Sequence, residues 1–328
     1  MNKILEIKNV KKYFPIKKGV FLKTVGHVKA LESIDLDLYE NETVGIVGES
    51  GCGKSTLGRV ITKIHDATEG SIIYHDKNGV KKDIVGKLNK KENMIYRSDL
   101  QMVFQNPFDS LDPRMTIGDI ISEPLQIHKM FKTKEEETNY VKDLLKKVGL
   151  YEEYISRYPH EFSGGQRQRI AVARAIALKP RVIICDEPTS ALDVSVQSQV
   201  INLLKDIQKE SSIAYLFISH NLDIVYHVSD KIVVMYLGHV VEEAKSEDLF
   251  ENTKHPYTKI LMSSMPGWNP KERKLSKVEV KGEPPSPINP PSGCPFHPRC
   301  PNRMDICSKQ KPLLKGDDHK VACHLYNK

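Results

Sequence analysis

Two segments near the start of the chain alternate apolar and polar residues, which is the period of a strand with one buried face. These segments are residues 5–10 and 33–38, and we predict a strand at each. Tyr13-Phe14-Pro15 lies between them, and we expect it to begin a loop.

Three short apolar runs predict strands that are buried on both faces. Residues 43–47 lead into a glycine-rich turn, and a helix is predicted after it, near residues 54–64. Residues 181–185 and 214–219 each follow a helical stretch. Strands that alternate with helices indicate a parallel or mixed sheet covered on both faces, so we predict an α/β fold.

The stretch around residues 107–160 differs from its surroundings, because helix formers dominate it. We predict a helix over residues 134–148. Ser163 is predicted to cap a further helix that runs to Lys179 and stops at Pro180. We therefore expect a helical subdomain, about residues 107–178, inserted between strands of the sheet core.

A boundary is predicted near residue 250, which divides the chain into a domain of residues 1–250 and an extension of residues 251–328. Eight prolines between residues 284 and 301 exclude regular helix and favour an extended, rigid path. Four of the six cysteines lie in this extension as well. We expect the extension to pack on its own cysteines rather than to form a free tail.

The composition and charge limit the class of protein. With 39% apolar and 28% charged residues the chain is typical of a soluble globular protein. It has no apolar run of about 18 residues and no signal peptide at its start, so we expect a cytosolic protein. The net charge of +7 lies in residues 251–328, with 14 Lys and Arg against 7 Asp and Glu. That excess would suit nucleic acid or anionic lipid, a solvated surface, or a bound anionic cofactor.

Residues 48–56 fit the phosphate-binding loop pattern Gly-x-x-x-x-Gly-Lys-Ser. Its glycines let backbone N–H groups turn toward phosphate oxygens, and the N-terminus of the following helix adds a favourable dipole. We predict that Lys54 reaches the terminal phosphates and that Ser55 offers its hydroxyl to Mg²⁺. The predicted nucleotide contacts are Gly48, Glu49, Ser50, Gly51, Cys52, Gly53, Lys54, Ser55 and Thr56.

A second strand delivers two adjacent carboxylates, Asp186 and Glu187, at its C-terminal end. Open α/β sheets place their binding sites at such ends. Asp186 is predicted to hold Mg²⁺, and Glu187 is predicted to polarise the water that attacks the phosphate. A solvated acidic pair is the alternative.

The tetrapeptide Ser163-Gly164-Gly165-Gln166 falls between these two motifs, and the ordered set resembles ATP-binding cassette (ABC) ATPases. The resemblance implies an ABC-type P-loop ATPase, with a mixed sheet core, an inserted helical subdomain and, here, a small Cys/Pro-rich C-terminal extension. It also implies that these four residues cap the γ-phosphate of ATP bound by a partner subunit. Residues 190–193 match the loop that crosses that interface.

The same resemblance assigns roles to three further residues. Gln105 matches a glutamine that contacts Mg²⁺ and water, and His220 matches a histidine that contacts the γ-phosphate. Phe14 falls at the position that stacks on adenine. Tyr13 is the alternative for this role, and ordinary packing of Phe14 is a third possibility.

Longer stretches are similar to the ATPases of oligopeptide and dipeptide importers, most of all the second ATPase subunit of oligopeptide permeases, the OppF type. These stretches are residues 104–115, 157–166, 255–259 and 282–287. The resemblance implies a peripheral protein on the cytoplasmic side of a bacterial membrane. Its partners would be a second, homologous ATPase, two membrane permease subunits and an external peptide-binding protein.

Two other functions remain open from the sequence. Nickel and glutathione importers use similar ATPases. A soluble ABC ATPase that acts on DNA or the ribosome would explain the basic tail, but such proteins carry a long coiled-coil insertion or two cassettes in one chain. Neither is visible here, so we expect no nucleic acid partner.

The four cysteines of the extension have the spacing C-x₅-C-x₆-C-x₁₅-C, which predicts a metal centre. Structural zinc sites favour close pairs, and the wider spacing fits a [4Fe–4S] cluster better. Clusters also occur in this extension among peptide-importer ATPases, as the resemblance implies. Zinc and four free thiols are the alternatives. The predicted ligands are Cys294, Cys300, Cys307 and Cys323.

Overall fold

The structure is a computed structural model that describes residues 2–106, 110–263 and 282–326. Residues 107–109, which begin the predicted helical subdomain, and residues 264–281 of the predicted extension lie outside this description. The chain forms two compact units. The first unit comprises Met1–Asn2, Tyr39–Glu42 and Gly86–Ile218, and the second unit comprises Lys3–Leu38, Thr43–Val85 and Ser219–Lys328. The domain boundaries predicted from the sequence stay predictions.

The strands are β1 (Lys3–Lys18), β2 (Lys23–Tyr39), β3 (Thr43–Val47), β4 (Glu69–His75), β5 (Lys81–Asp83), β6 (Leu100–Val103), β7 (Val182–Asp186), β8 (Ala214–Ile218), β9 (Lys231–Tyr236), β10 (His239–Lys245) and β11 (Lys320–Val321). The α-helices are α1 (Lys54–Ile61), α2 (Lys90–Asp99), α3 (Ile117–Ile127), α4 (Lys134–Lys147), α5 (Gly164–Ile176), α6 (Val194–Ser211), α7 (Leu222–Val228), α8 (Ser246–Glu251) and α9 (Pro256–Ser263). Four short 3₁₀ turns cover Glu152–Ser156, Pro159–Glu161, His297–Arg299 and Asp305–Ser308.

The second unit is built on two sheets. In the first sheet the strand order is β2-β1-β4-β5, with β1 antiparallel to β4. In the second sheet β11, β10, β9 and β3 follow one another; β9 runs parallel to β3 and antiparallel to β10. Every residue of β3 is buried, as its apolar sequence predicts.

The first unit has three parallel strands, in the order β8-β7-β6. All residues of β7 and β8 are buried. Helix α5 contacts the helices α3, α4 and α6 and the strand β6, so α5 lies at the centre of the helices of this unit. Parallel strands here and mixed strands in the second unit confirm the predicted α/β class.

Local capping explains where the helices of the first unit begin. Ser163 caps α5 as predicted: its hydroxyl accepts from the N–H of Gln166, and the Gln166 side chain accepts from the N–H of Ser163. This reciprocal pair satisfies two N–H groups that a helix start leaves unpaired. Thr133 and Glu136 form the same arrangement at α4, which spans nearly the whole predicted helix.

Three predicted boundaries were wrong. Tyr13-Phe14-Pro15 does not begin a loop but lies inside β1, which continues to Lys18. The pairing of β1 with β4 ends at Lys11. Beyond that point β1 has a hydrogen-bonded neighbour on one side only, so Pro15, which lacks an N–H, is tolerated. Helix α5 ends at Ile176 rather than Lys179, and α1 ends at Ile61 rather than Ile64. The left-handed backbones of Lys179 and Lys63 account for these earlier ends.

Residues 282–326 contain two 3₁₀ turns and the two-residue strand β11, and no α-helix. This agrees with the helix-breaking effect of their prolines. Strand β11 pairs antiparallel with β10, Glu242 lying opposite Val321. None of the helices in the described ranges is long and apolar enough to cross a membrane.

Candidate functional site

Residues 48–53 connect the buried strand β3 to α1, and residues 54–56 begin that helix, as the predicted strand–loop–helix context requires. Lys54 is the first residue of α1, and only 5% of its surface is exposed. Its ammonium donates to the backbone carbonyls of Gly48 at 2.7 Å and Glu49 at 3.0 Å. The loop therefore curls around the lysine that is predicted to meet the phosphates.

Two glycines make this loop conformation possible. Gly53 has φ +106°, and a Cβ there would collide with the carbonyl oxygen of Ala30. A Cβ on Gly48 would collide with the carbonyl oxygen of Met235. Any larger residue at either position would force the loop away from the neighbouring backbone.

Cys52 stabilises the loop through its backbone. Its carbonyl accepts from the N–H of Gly238, which follows β9, at 2.9 Å. Its side chain is buried, and burial raises the pKa of the thiol. A buried, protonated thiol is a poor nucleophile, so we assign the Cys52 side chain a packing position.

His220 and Phe14 also lie in the second unit. His220 is exposed and follows Ser219, whose N–H donates to Ile46 of β3 at 3.2 Å. Phe14 makes an edge contact with His65 at 5.3 Å between ring centroids, and the ammonium of Lys12 lies 4.9 Å from its ring. The hydroxyl of Tyr13 donates to Glu32 at 2.7 Å. The assignment of an adenine-stacking residue stays a prediction.

Asp186 and Glu187 lie in the first unit, at the C-terminal end of β7. Asp186 is buried, while Glu187 is half-buried and has φ +47°, an unusual value for a residue with a side chain. The N–H of Glu187 donates to Ile218 at the end of β8 at 2.9 Å, and its carbonyl accepts from Ser190 at 3.2 Å. These bonds hold the turn that points the second carboxylate away from the strand.

Gln105 contacts Glu187 directly. The side-chain amide of Gln105 donates to the Glu187 carboxylate at 2.9 Å, across 82 residues of sequence. Gln105 is exposed and follows β6, the parallel neighbour of β7. Of the residues predicted to act in hydrolysis, these two are brought into hydrogen-bond contact.

The tetrapeptide at residues 163–166 begins α5 in the first unit. Gly165 is needed for packing, because a Cβ there would collide with Val196 of α6. Asp193 caps α6 by accepting from the N–H of Val196 at 2.9 Å. Ser163 itself is exposed, so the positive end of the α5 dipole faces outward.

The four cysteines of residues 282–326 carry free thiols, and three of them are buried. Burial raises the pKa of Cys294 to about 11, and the nearby Cys307, Cys323 and Cys300 raise it as well. Nevertheless, among residues 2–106, 110–263 and 282–326 no group of three or more His, Cys, Asp or Glu side chains is placed to hold a metal ion. The side-chain geometry thus does not support the predicted metal centre.

Two contacts to the phosphate loop were not predicted from the sequence. Arg299 forms a two-point salt bridge with Glu49, at 2.8 and 3.1 Å, and the hydroxyl of Tyr257 accepts from the N–H of Glu49 at 2.8 Å. These residues lie 250 and 208 positions from Glu49. The only signal in the sequence was the stretch at residues 255–259, which resembles importer ATPases without indicating what it contacts.

Two family descriptions match the chain. Residues 31–190 match the family described as "ABC transporter". Residues 241–307 match the family described as "Oligopeptide/dipeptide transporter, C-terminal region".

Curated relatives are similar over nearly the whole chain. The oligopeptide transport ATP-binding protein AppF of Bacillus subtilis is 50% identical over 327 residues, which are 99% of this chain and 98% of the relative. The oligopeptide transport ATP-binding protein OppF of Salmonella typhimurium is 48% identical over 324 residues, 98% of this chain and 95% of that protein.

Solved structures of ATP-binding cassettes share the fold. The dimeric, post-hydrolysis structure of the cassette MJ0796 bound to ADP and Pi has a TM-score of 0.63 at 30% identity. The match covers 74% of this chain and 99% of the MJ0796 chain. The ADP conformation of MJ1267, a cassette of an ABC transporter, has a TM-score of 0.62 at 27% identity. The match covers 79% of this chain and 99% of the MJ1267 chain.

Proposed function

Because this chain belongs to the ATP-binding proteins of ABC transporters, in the oligopeptide and dipeptide group, it is an ATP hydrolase coupled to transport, and we propose the following roles for its residues. The phosphate loop at residues 48–56 binds the triphosphate, with Lys54 on the terminal phosphates. Phe14 stacks on the adenine. His220 contacts the γ-phosphate.

The contact between Gln105 and Glu187 carries the proposal for hydrolysis. Glu187 acts as the general base that polarises the attacking water, and Gln105 holds its carboxylate by the 2.9 Å hydrogen bond. A positioned carboxylate of this kind is what phosphoryl transfer requires, since the enzyme contributes mainly orientation and charge.

Three residues supply the oxygen ligands that Mg²⁺ prefers: the Ser55 hydroxyl, the Gln105 amide and the Asp186 carboxylate. When bound, the ion adds positive charge against the phosphate oxygens. The burial of Asp186 at the end of β7 supports its role as a fixed ligand.

Residues 163–166 contact ATP held by a second ATPase chain. The outward-facing N-terminus of α5 supports this role, because helix N-termini are favourable sites for phosphate. The proposed partner is a homologous ATPase subunit, with which this chain forms a heterodimer. Two ATP molecules would then hold the two chains together.

We propose that the transported solute is a short peptide. The supporting observation is the 48–50% identity, over nearly the full chain, to proteins named for oligopeptide transport. The match of residues 241–307 adds the group's C-terminal region. The comparisons do not favour the nickel or glutathione alternative, since the relatives described here are named for peptides.

The remaining partners are two membrane permease subunits and an external peptide-binding protein, with this chain peripheral on the cytoplasmic side. A groove of about 670 Å³ in the first unit supports a docking role. Residues 110–115 line it together with Arg174 and Glu123, which form a salt bridge at 2.8 Å. We expect a cytoplasmic helix of a permease to bind there.

Purification of the tagged chain from its host membranes tests this assembly. We expect a second ATPase and two permease subunits to copurify, and crosslinks from a cysteine placed at exposed Arg114 to reach a permease. Copurification of ribosomal proteins or nucleic acid in their place would contradict the transport function.

The metal centre of the four cysteines, [4Fe–4S] or zinc, rests on spacing and family resemblance and not on side-chain geometry. Anaerobic purification followed by iron, sulfide and zinc analysis decides it. About four irons and four sulfides per chain would support the cluster, and one zinc without iron would support zinc. A metal-free protein of unchanged stability would remove both.

A further inference from the structure

Glu49, the second residue of the phosphate loop, is held by residues from the C-terminal part of the chain. Both terminal nitrogens of Arg299 donate to its carboxylate, at 2.8 and 3.1 Å. The hydroxyl of Tyr257 accepts from its backbone N–H at 2.8 Å. The side chain and the backbone of Glu49 are therefore fixed at the same time.

The salt bridge is largely shielded from water, so breaking it should cost free energy. Only 8% of the Arg299 side chain is exposed, and 26% of that of Glu49. Two-point arginine–carboxylate pairs are among the stronger hydrogen-bonded contacts, and removal of one partner leaves a poorly solvated charge. Tyr236 accepts a further hydrogen bond from Arg299 at 3.3 Å. Its ring packs against those of Tyr257 and Phe296, at 4.7 and 5.2 Å.

The charge of Glu49 is unfavourable for the ligand of this loop. Its backbone carbonyl accepts from the ammonium of Lys54 at 3.0 Å, so the residue lies beside the group that meets the phosphates. An unpaired carboxylate on this residue would repel a triphosphate, within the range that salt does not fully screen. Arg299 neutralises it.

The C-terminal region is attached to the cassette at other points as well. The N–H of Ala322 donates to Val241 of β10 at 2.9 Å, and the N–H of Lys29 in β2 donates to Pro287 at 3.1 Å. Loss of Arg299 alone therefore leaves this region in place. A variant can test the salt bridge without removing the whole segment.

We propose that Arg299 is a positioning residue for ATP that acts through charge: it pairs with Glu49 and so neutralises the carboxylate that would otherwise repel the triphosphate at the phosphate loop. Tyr257 supports the same loop from the backbone side. This inference rests on the proposed binding of ATP at residues 48–56. It gives the C-terminal region a part in nucleotide binding, through Glu49.

The test measures the dissociation constant for a fluorescent ATP analogue on the purified full chain. Arg299→Gln should weaken binding at least about fivefold, the lower end of typical coupling between sites. Glu49→Gln in the same chain should restore affinity to within about twofold, because the unpaired carboxylate is gone. Arg303→Gln, at an exposed arginine of the same region, is the matched control and should bind as the wild type does. Lys54→Ala is the reference for the ATP site itself.

Rescue by the second substitution separates a charge effect from simple loss of packing. Wild-type affinity in Arg299→Gln, or a double variant as weak as the single, would overturn the inference. If Lys54→Ala also binds normally, the assignment of the phosphate loop fails instead. In the assembled transporter the KM for ATP should rise in Arg299→Gln, while kcat stays within about twofold because Glu187 is untouched.

A different surface, the tip of the β1–β2 hairpin, supports a second and independent inference. The turn at residues 19–22 is closed by a hydrogen bond from the N–H of Leu22 to Gly19 at 3.1 Å. Val20 is 95% exposed and Phe21 87% exposed, and Leu22 and Val25 are exposed too. Consecutive large apolar side chains with this exposure mark a surface that binds something.

The charge of the hairpin indicates what it binds. Residues 7–31 contain seven lysines and no acidic residue. Lys17, Lys18 and Lys23 are exposed on both sides of the apolar tip. Apolar side chains flanked by lysines suit the boundary between lipid headgroups and acyl chains, where each lysine near an anionic surface strengthens binding.

We infer that this hairpin tip contacts an anionic membrane surface, with Val20, Phe21 and Leu22 among the acyl chains and the three lysines on lipid phosphates. The purified chain should sediment at low salt with vesicles of phosphatidylcholine and phosphatidylglycerol, and not with phosphatidylcholine alone. Phe21→Ser and the combined Lys17→Gln, Lys18→Gln and Lys23→Gln variant should each reduce the bound fraction at least about threefold.

Val80→Ser is the control, because Val80 is an exposed apolar residue at the turn between β4 and β5. It should leave vesicle binding unchanged. Absence of binding to anionic vesicles, or binding that the tip variants do not reduce, would overturn the inference. A tip that instead crosslinks to a protein subunit without binding vesicles would assign it to a protein interface.

Discussion

At the scale of single residues, Glu187 shows most clearly what sequence and structure each contribute. Its place after Asp186 at a strand end predicted a role in hydrolysis. The sequence could not predict its left-handed backbone, φ +47°, because local preference opposes it by roughly 1–3 kcal/mol. A tertiary bond to Ile218 of β8 and a local turn bond from Ser190 hold that conformation.

Glu187→Gln should lower ATP turnover at this chain's site at least about 10²-fold in the pair reconstituted with the homologous ATPase. ATP affinity should stay within about threefold, because Lys54 and the phosphate loop are unchanged. Turnover and nucleotide affinity are measured on the same preparation. Glu153→Gln, at an exposed carboxylate of the first unit, is the control. Nearly normal turnover in Glu187→Gln would show that Glu187 is not the general base.

At the scale of secondary-structure elements, the strongly patterned segments were predictable and their ends were not. The strand at residues 43–47, the helix α4 and the cap at Ser163 follow from apolar runs and capping residues within a few positions. The continuation of β1 through Pro15 depends on which neighbours pair beyond Lys11, and that depends on distant residues. Gly165 was visible as part of a motif, but its contact with Val196 was not.

Gly165→Ala should destabilise the protein, because the added Cβ meets Val196 and forces α5 away from α6. Overpacking of this kind costs about 1–3 kcal/mol in the free energy of unfolding. Gly164→Ala is the matched control, since its Cβ would lie 3.5 Å from Leu192, an ordinary contact. Thermal unfolding of both variants checks the prediction, and equal stability would contradict the packing argument.

At the scale of the whole molecule, the fold class and the ordered ATP motifs were predictable, and the connection of the C-terminal region to the phosphate loop was not. The pairing of Arg299 with Glu49 joins residues 250 positions apart, and neither motif nor periodicity indicates such a contact. The cysteine spacing predicted a metal centre that the side-chain geometry does not support. Spacing alone does not define coordination, because ligation also needs convergent side chains.

The isolated chain should be a poor ATPase, because residues 163–166 are proposed to complete a site on a partner subunit. ATP turnover by a dilute chain, verified as a monomer by light scattering, should rise at least about tenfold when the homologous ATPase and the permeases are added. Full activity of the monomer would contradict the shared site.

The most direct test of the central claim is peptide uptake by vesicles that contain the permeases, the external binding protein and both ATPase subunits. ATP is supplied on the side of the ATPases, and uptake of labelled di- to pentapeptides is measured together with ATP hydrolysis. We predict that uptake requires ATP and is lost when this chain is omitted or carries Lys54→Ala. Equal uptake without this chain, or uptake of nickel or glutathione and of no peptide, would contradict the account.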